Sequence, residues 1–272
     1  MKSNSMLGRH PVTAYFTLTF LLSWLGASAV AAPGLLRHHG PDKMTGILMF
    51  PAMILGPCVV SLILTAKLEG RAGLRELGQR IFLRPRPAVW LLALLIPPVL
   101  ILAVLEAMQR IVSAAYSPNY FWIGVLFGVP AGLLEEVGWT GFAFPRMQQG
   151  MSPFAASILL GMLWSCWHLP VVNFLGTATP HGRYWPLYFA VFAVAMTAMR
   201  VLIGWVYMHT QSVLMAQLMH MSSTGSLVVL SAVGVSALQE CAWYAAYGTA
   251  LWAVVLAIRM RDGAKLVRPP RL

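Results

Sequence analysis

Residues 88–108 read AVWLLALLIPPVLILAVLEAM, and Glu106 is the one charged side chain among them. A helix must present about 20 predominantly apolar residues to cross the hydrocarbon core of a bilayer, and this stretch does so. The same pattern recurs along the chain. Candidate spans lie near 13–34, 45–66, 88–108, 118–135, 153–175, 186–208, 211–234 and 238–258. The composition agrees, at 58% hydrophobic and 10% charged residues with a mean hydropathy of +0.71. A soluble domain of this length carries about a quarter charged residues. No alternation of period two persists, which argues against a β-barrel. The expected fold is therefore an all-α integral membrane protein, a bundle of about eight transmembrane helices. It forms a single polytopic domain over 1–272, with no repeat and no linker long enough to separate domains.

The formal net charge of +11 does not signal nucleic acid. The basic residues cluster between apolar runs, as in the cytoplasmic loops of membrane proteins. Lys2 and Arg9 lie at the N-terminus. Lys67, Arg71, Arg75, Arg80, Arg84 and Arg86 lie in 67–87, and Arg259, Arg261, Lys265, Arg268 and Arg271 in the tail. An even number of spans puts all three groups on one face. This favours eight helices, a multi-pass protein of the cell membrane, and cytoplasmic N- and C-termini. Residues 67–87 read either as a solvated loop or as an amphipathic helix laying Leu68, Leu74, Leu77 and Ile81 on anionic lipid. The first apolar run ends LLSWLGASAVAAPG, which resembles a signal-peptide cleavage site, but the run is long for one and is read as an uncleaved span. Cys58, Cys166 and Cys241 lie in apolar runs and are expected to be buried thiols.

Ionisable groups at bilayer depth are costly and usually mark function. Glu106, Glu135, Glu136 and Glu240 are the acids at or near apolar helices, and only Glu135 and Glu136 are adjacent. Paired carboxylates in a low-dielectric site repel each other, which makes them candidates for proton chemistry. Interfacial water at a helix end is the plainer reading. His10, His38, His39 and His181 fall in loops or tails and His209 near an interface, whereas His168 and His220 fall within apolar helices. Trp164 shares a face with His168, and Thr224 shares one with His220. A glutamate pair and two histidines on three helices can meet in one wet cavity. Two chemistries suit that set. In one, Glu135, His168 and His220 bind zinc, which activates a water. In the other, a glutamate deprotonates water directly while the histidines hold the water and the oxyanion. No HExxH or other local zinc motif is present. Trp139 and Trp164 read either as groove-lining or as core residues, and Gly161 and Gly204 as sites of close helix approach.

Three segments together resemble a known family. EEVGWTGFAFPRMQ at 135–148, WSCWHLP at 164–170 and RVLIGWVYMHTQSVLMAQLMHMSS at 200–223 are similar to the three motifs of the CPBP intramembrane endopeptidases, the CAAX-protease and bacteriocin-processing family. The resemblance covers about 85–225. It implies a helical bundle with a catalytic cavity facing the cytoplasm, and hydrolysis of peptide bonds in a peptide or protein at the membrane. By position, Glu135 would activate the water, His168 hold it, His220 stabilise the oxyanion, and Glu136 support them. The family has been read as zinc-dependent and as metal-free, and the metal-free glutamate mechanism is adopted here. Thr140 stands where the family places an arginine, and Thr224 where it places an asparagine. Threonine cannot neutralise Glu136, which is then protonated or paired with Arg146 or with Arg200. A hydroxyl at 224 is a weaker oxyanion partner than an amide. These departures support an alternative: a catalytically impaired member serving as a membrane scaffold or bacteriocin immunity protein. A small-solute transporter is disfavoured, because repeat-like halves and broken-helix signatures are missing. The substrate, prenylated or not, and the oligomeric state are not specified by these residues.

Overall fold

The computed structural model describes residues 6–38, 43–85, 87–175 and 181–262. Lys2, His39, Arg86, Lys265, Arg268 and Arg271 lie outside them. The elements are α1 (Met6–Arg9), α2 (Pro11–Leu36), α3 (Lys43–Phe82), α4 (Pro87–Ile111), α5 (Val125–Gly138), a π-helical turn (Trp139–Ala143), α6 (Phe144–Met147), α7 (Pro153–Trp167), α8 (Leu169–Leu175), α9 (Trp185–Thr210), α10 (Val213–Val229) and α11 (Ala237–Asp262). Among the described residues the one β pairing is an isolated bridge between Pro118 and Ala232. Stretches of α2, α3, α4, α9 and α11 are long and apolar enough to cross a membrane, while α7 and α10 are shorter apolar helices. Leu21, Leu25, Leu91, Leu95, Leu126 and Leu256 project outward from the bundle, as lipid-facing residues do.

Several boundaries differ from those expected. The span read at 118–135 starts at Val125 and continues through the π turn to Met147. Ser117-Pro118-Asn119 is turn chemistry and delays the helix. Glu135 and Glu136 therefore sit in the middle of a helical stretch, not in water at its end. The span read at 153–175 is split at His168, which caps α7. Pro170 explains the break, because it has no N–H and its ring crowds the preceding turn. The 45–66 span and the basic segment after it form one long element, kinked at Gly70 (φ 65°, ψ −152°), a conformation glycine tolerates. Beyond the kink, residues 71–82 do form an amphipathic helix. Its apolar face meets the bundle rather than lipid: Leu77 is buried and Ile81 packs on the core, as Leu68 does just before the kink. Of the three cysteines, Cys241 is buried, Cys58 half-buried and Cys166 exposed, since Cys166 faces outward on α7.

Two close approaches assemble the centre. Gly124, at the N-cap of α5, and Gly128 and Gly132 on it form a stripe, one residue per turn. A Cβ at Gly128 would stand 2.4 Å from the Met221 carbonyl oxygen, and one at Gly132 2.5 Å from that of Gln217. The α5 backbone thus lies directly on α10, and Glu136, the next residue of the stripe, is aimed at the same neighbour. On the other side a Cβ at Gly161 would stand 2.7 Å from the Thr197 Cα and 3.2 Å from the Arg200 Cβ, so α7 presses on α9. Gly204 is likewise crowded by Ser157 and Phe144.

Candidate active site

Successive residues on a helix point about 100° apart, so the adjacent glutamates face different partners. Glu136 continues the glycine stripe and meets α9 and α10. Its Oε1 accepts from Arg200 Nη1 (2.8 Å) and from His220 Nδ1 (2.8 Å), and its Oε2 accepts from Arg200 Nη2 (3.0 Å). Thr140, one turn on, donates its hydroxyl to Oε2 and accepts from Arg200 Nη2 at 3.0 Å. The ion pair is fully enclosed, with Glu136 0% and Arg200 1% exposed. Arg200 is thus the partner of Glu136. Arg146 is not: it bonds Glu69 and the Phe142 carbonyl, and its guanidinium lies 3.7 Å from the centre of the Phe142 ring. Geometry explains the choice, because Arg146 lies beyond the π turn at the bundle edge, whereas Arg200 lies mid-helix on the most central element.

Glu135 turns toward α7. It is 1% exposed. Its Oε2 accepts two indole N–H groups, from Trp139 at 3.1 Å and from Trp164 at 2.9 Å. The Trp164 ring then meets both histidines edge-on, with centroids 5.0 Å from His168 and 5.1 Å from His220. One indole therefore joins the carboxylate to both imidazoles. His168 Nδ1 lies 2.7 Å from the Trp164 carbonyl oxygen, which only accepts, so that nitrogen carries the proton and Nε2 is left to accept. His220 donates from Nδ1 to Glu136, which turns its Nε2 to the site. Thr224 follows one turn later on α10 and is half-buried.

Zinc would draw on Glu135, His168 and His220. Among the described residues, no three His, Cys, Asp or Glu side chains are grouped so that they could hold a metal ion. Glu135, His168 and His220 also each have one polar atom already committed to a protein partner.

Residues 117–226, which contain all of these side chains, match the family model described as type II CAAX prenyl endopeptidase Rce1-like. A relative from Methanococcus maripaludis, CAAX prenyl protease 2, is 29% identical over 193 residues, covering 64% of this chain and 69% of that protein. Both matches support the resemblance to the CAAX-protease (CPBP) family that the three motifs carry. This is a family of membrane proteases, and with its apolar helices the protein is a multi-pass membrane protein.

Two features of the site were not anticipated. The GxxxGxxxG spacing at 124–132 was readable as a helix-packing stripe and explains why α5 and α10 meet. The indole donors of Glu135 were visible only as tryptophans near it. A second buried pair, His181 with Glu240 at 2.8 Å, lies apart from the site where His181 stacks on Tyr188. The sequence places His181 in a loop. It does lie outside the helices, yet it is almost fully enclosed.

Proposed function

We propose that the protein is an intramembrane endopeptidase that cleaves a membrane-associated peptide or protein with a water activated by Glu135, without a metal. The observation that carries this reading is the enclosed Glu135 carboxylate joined through Trp164 to both His168 and His220. A water held between Glu135 Oε1 and His168 Nε2 loses a proton to Glu135 as its oxygen bonds the scissile carbonyl carbon. The carbonyl oxygen becomes an oxyanion facing His220 Nε2 and the Thr224 hydroxyl. The C–N bond then breaks, and Glu135 returns the proton to the leaving amine. A ring that donates from Nδ1 to Glu136 and from Nε2 to an oxyanion carries both protons, and Glu136 supplies the counter-charge. Glu136 thus orients His220 rather than touching substrate, and Arg200 takes the neutralising part that Thr140 cannot. This weakens one of the two arguments for an inactive scaffold and leaves Thr224 as the other.

Eight spans with both termini in the cytoplasm fit the clustering of basic residues, and the cavity then opens toward the cytoplasm. The relative's name makes a prenylated C-terminal peptide the first substrate to try, with unprenylated leader peptides second. The test is cleavage of fluorogenic peptides of both kinds by the purified protein in nanodiscs, wild type beside Glu135→Gln. A general base contributes roughly 10²–10⁴-fold, so the variant should lose at least that much rate. Equal rates in the two proteins would refute the mechanism. A folded wild type inert on every peptide would favour the scaffold.

A further inference from the structure

We propose that Trp139 and Trp164 are positioning residues that clamp one oxygen of Glu135, so that the carboxylate works as a base through Oε1 alone. The inference rests on the proteolytic reading for its catalytic consequence, but the clamp itself does not. The terminal rotor of a glutamate is soft, and its two oxygens are otherwise interchangeable. Here both indole N–H groups converge on Oε2, at 3.1 and 2.9 Å, from two separate elements. Trp139 belongs to the π turn and reaches back along its own helical stretch, while Trp164 reaches across from α7. π turns recur at functional sites, and this one begins at the residue that makes the first of these bonds.

Indole suits this task chemically. It donates and does not accept, so neither tryptophan can take a proton from a catalytic water or compete for its hydrogens. Both rings are also immobilised. Trp139 is edge-on to Tyr15 (5.6 Å), stacked on Phe16 (6.0 Å) and edge-on to Trp167 (5.7 Å). Trp164 is held by the two histidine edges, and the Arg200 guanidinium lies 5.9 Å from its ring centre. A displacement of either ring therefore moves Glu135, and for Trp164 it moves the base relative to both imidazoles at once. Phenylalanine would fill much of the same volume and leave Oε2 without its donor. If the tryptophans only filled the core, that loss would be invisible to the reaction.

The experiment uses the full-length protein in nanodiscs with a peptide whose cleavage is lost in Glu135→Gln. Trp164 is replaced by phenylalanine and, by amber suppression, by benzothienylalanine, which keeps the bicyclic shape and exchanges N–H for sulfur. Misplacing a reacting group by about 1 Å costs on the order of 10²-fold, so kcat should fall about 10- to 100-fold in both variants while KM stays within about twofold. Unchanged kcat in the benzothienyl variant would overturn the proposal. A second measurement needs no activity: a thermal-unfolding cycle of Glu135→Leu, Trp164→Phe and the double variant. Each single change strands polar groups, so the double should lose less Tm than the sum of the singles. Additive losses would overturn the clamp. If the wild type cleaves nothing, the proteolytic reading fails, and the cycle still decides whether the clamp exists.

Discussion

Replacing Arg200 by methionine keeps most of the side-chain length and removes the guanidinium. That group makes two hydrogen bonds to the Glu136 carboxylate and one to Thr140, with no water-exposed surface to soften the loss. Removing one partner of a buried pair costs about 3–5 kcal/mol, because the other charge is stranded. For a chain of this size each kcal/mol moves Tm by about 2–4 °C, so Arg200→Met should unfold about 6–20 °C earlier. Arg71, exposed on the helix beyond Gly70, is the control. Surface changes of that kind fall within about 0.5 kcal/mol, so Arg71→Met should shift Tm by no more than about 2 °C. A third variant, Glu136→Gln with Arg200→Met, removes both members of the pair and should recover part of the loss, because neither is left without the other. Tryptophan-fluorescence thermal unfolding of all three beside wild type, in one detergent, is the assay. Equal Tm for Arg200→Met and Arg71→Met would refute the reasoning, and so would a double variant no more stable than Arg200→Met.

Gly128→Leu should drive α5 from α10 and abolish both folding stability and cleavage, whereas Gly225→Ala, whose Cβ meets nothing nearer than 3.8 Å, should be close to wild type by thermal unfolding and peptide assay. Glu69→Ala should cost no more than about 1 kcal/mol despite its pairing with Arg146, because Glu69 is 43% exposed; a Tm loss above about 5 °C would contradict this. Arginine at 140 in the Arg200→Met background should restore part of the lost Tm, because Thr140 already touches Glu136 and the departing guanidinium leaves room beside it; no gain would argue against that geometry. Prolonged treatment with a strong chelator should leave the cleavage rate unchanged, and loss of rate with recovery on adding zinc would overturn the metal-free reading.

Much of the candidate site was legible because polar residues are so scarce in this chain. Against long apolar runs Glu135, Glu136, His168 and His220 stand out one by one, and Arg200 could be named as a partner of Glu136 because few mid-helix cations compete for it. The readings that failed concerned direction. Leu77 has the same periodicity whether its face meets lipid or protein, and the glycine that kinks the chain at position 70 determines which. Cys166 lies in an apolar run that looks uniform in one dimension, yet the helix has an outward face.

The sequence by itself determined the class of the fold, because a bilayer admits few backbone solutions and a run of about 20 apolar residues commits the chain to a spanning helix. It also determined which side chains are available for chemistry. Only the tertiary structure decided how they are paired. Glu136 lies 10 positions from Arg146 and 64 from Arg200, yet it bonds the distant one. Glycines on α5 and α7 bring α10 and α9 against them, and within that contact the unpaired charge finds its nearest buried donor. The adjacent glutamates were likewise assigned by the helix itself, whose turn aims one at an ion pair and the other at two indoles.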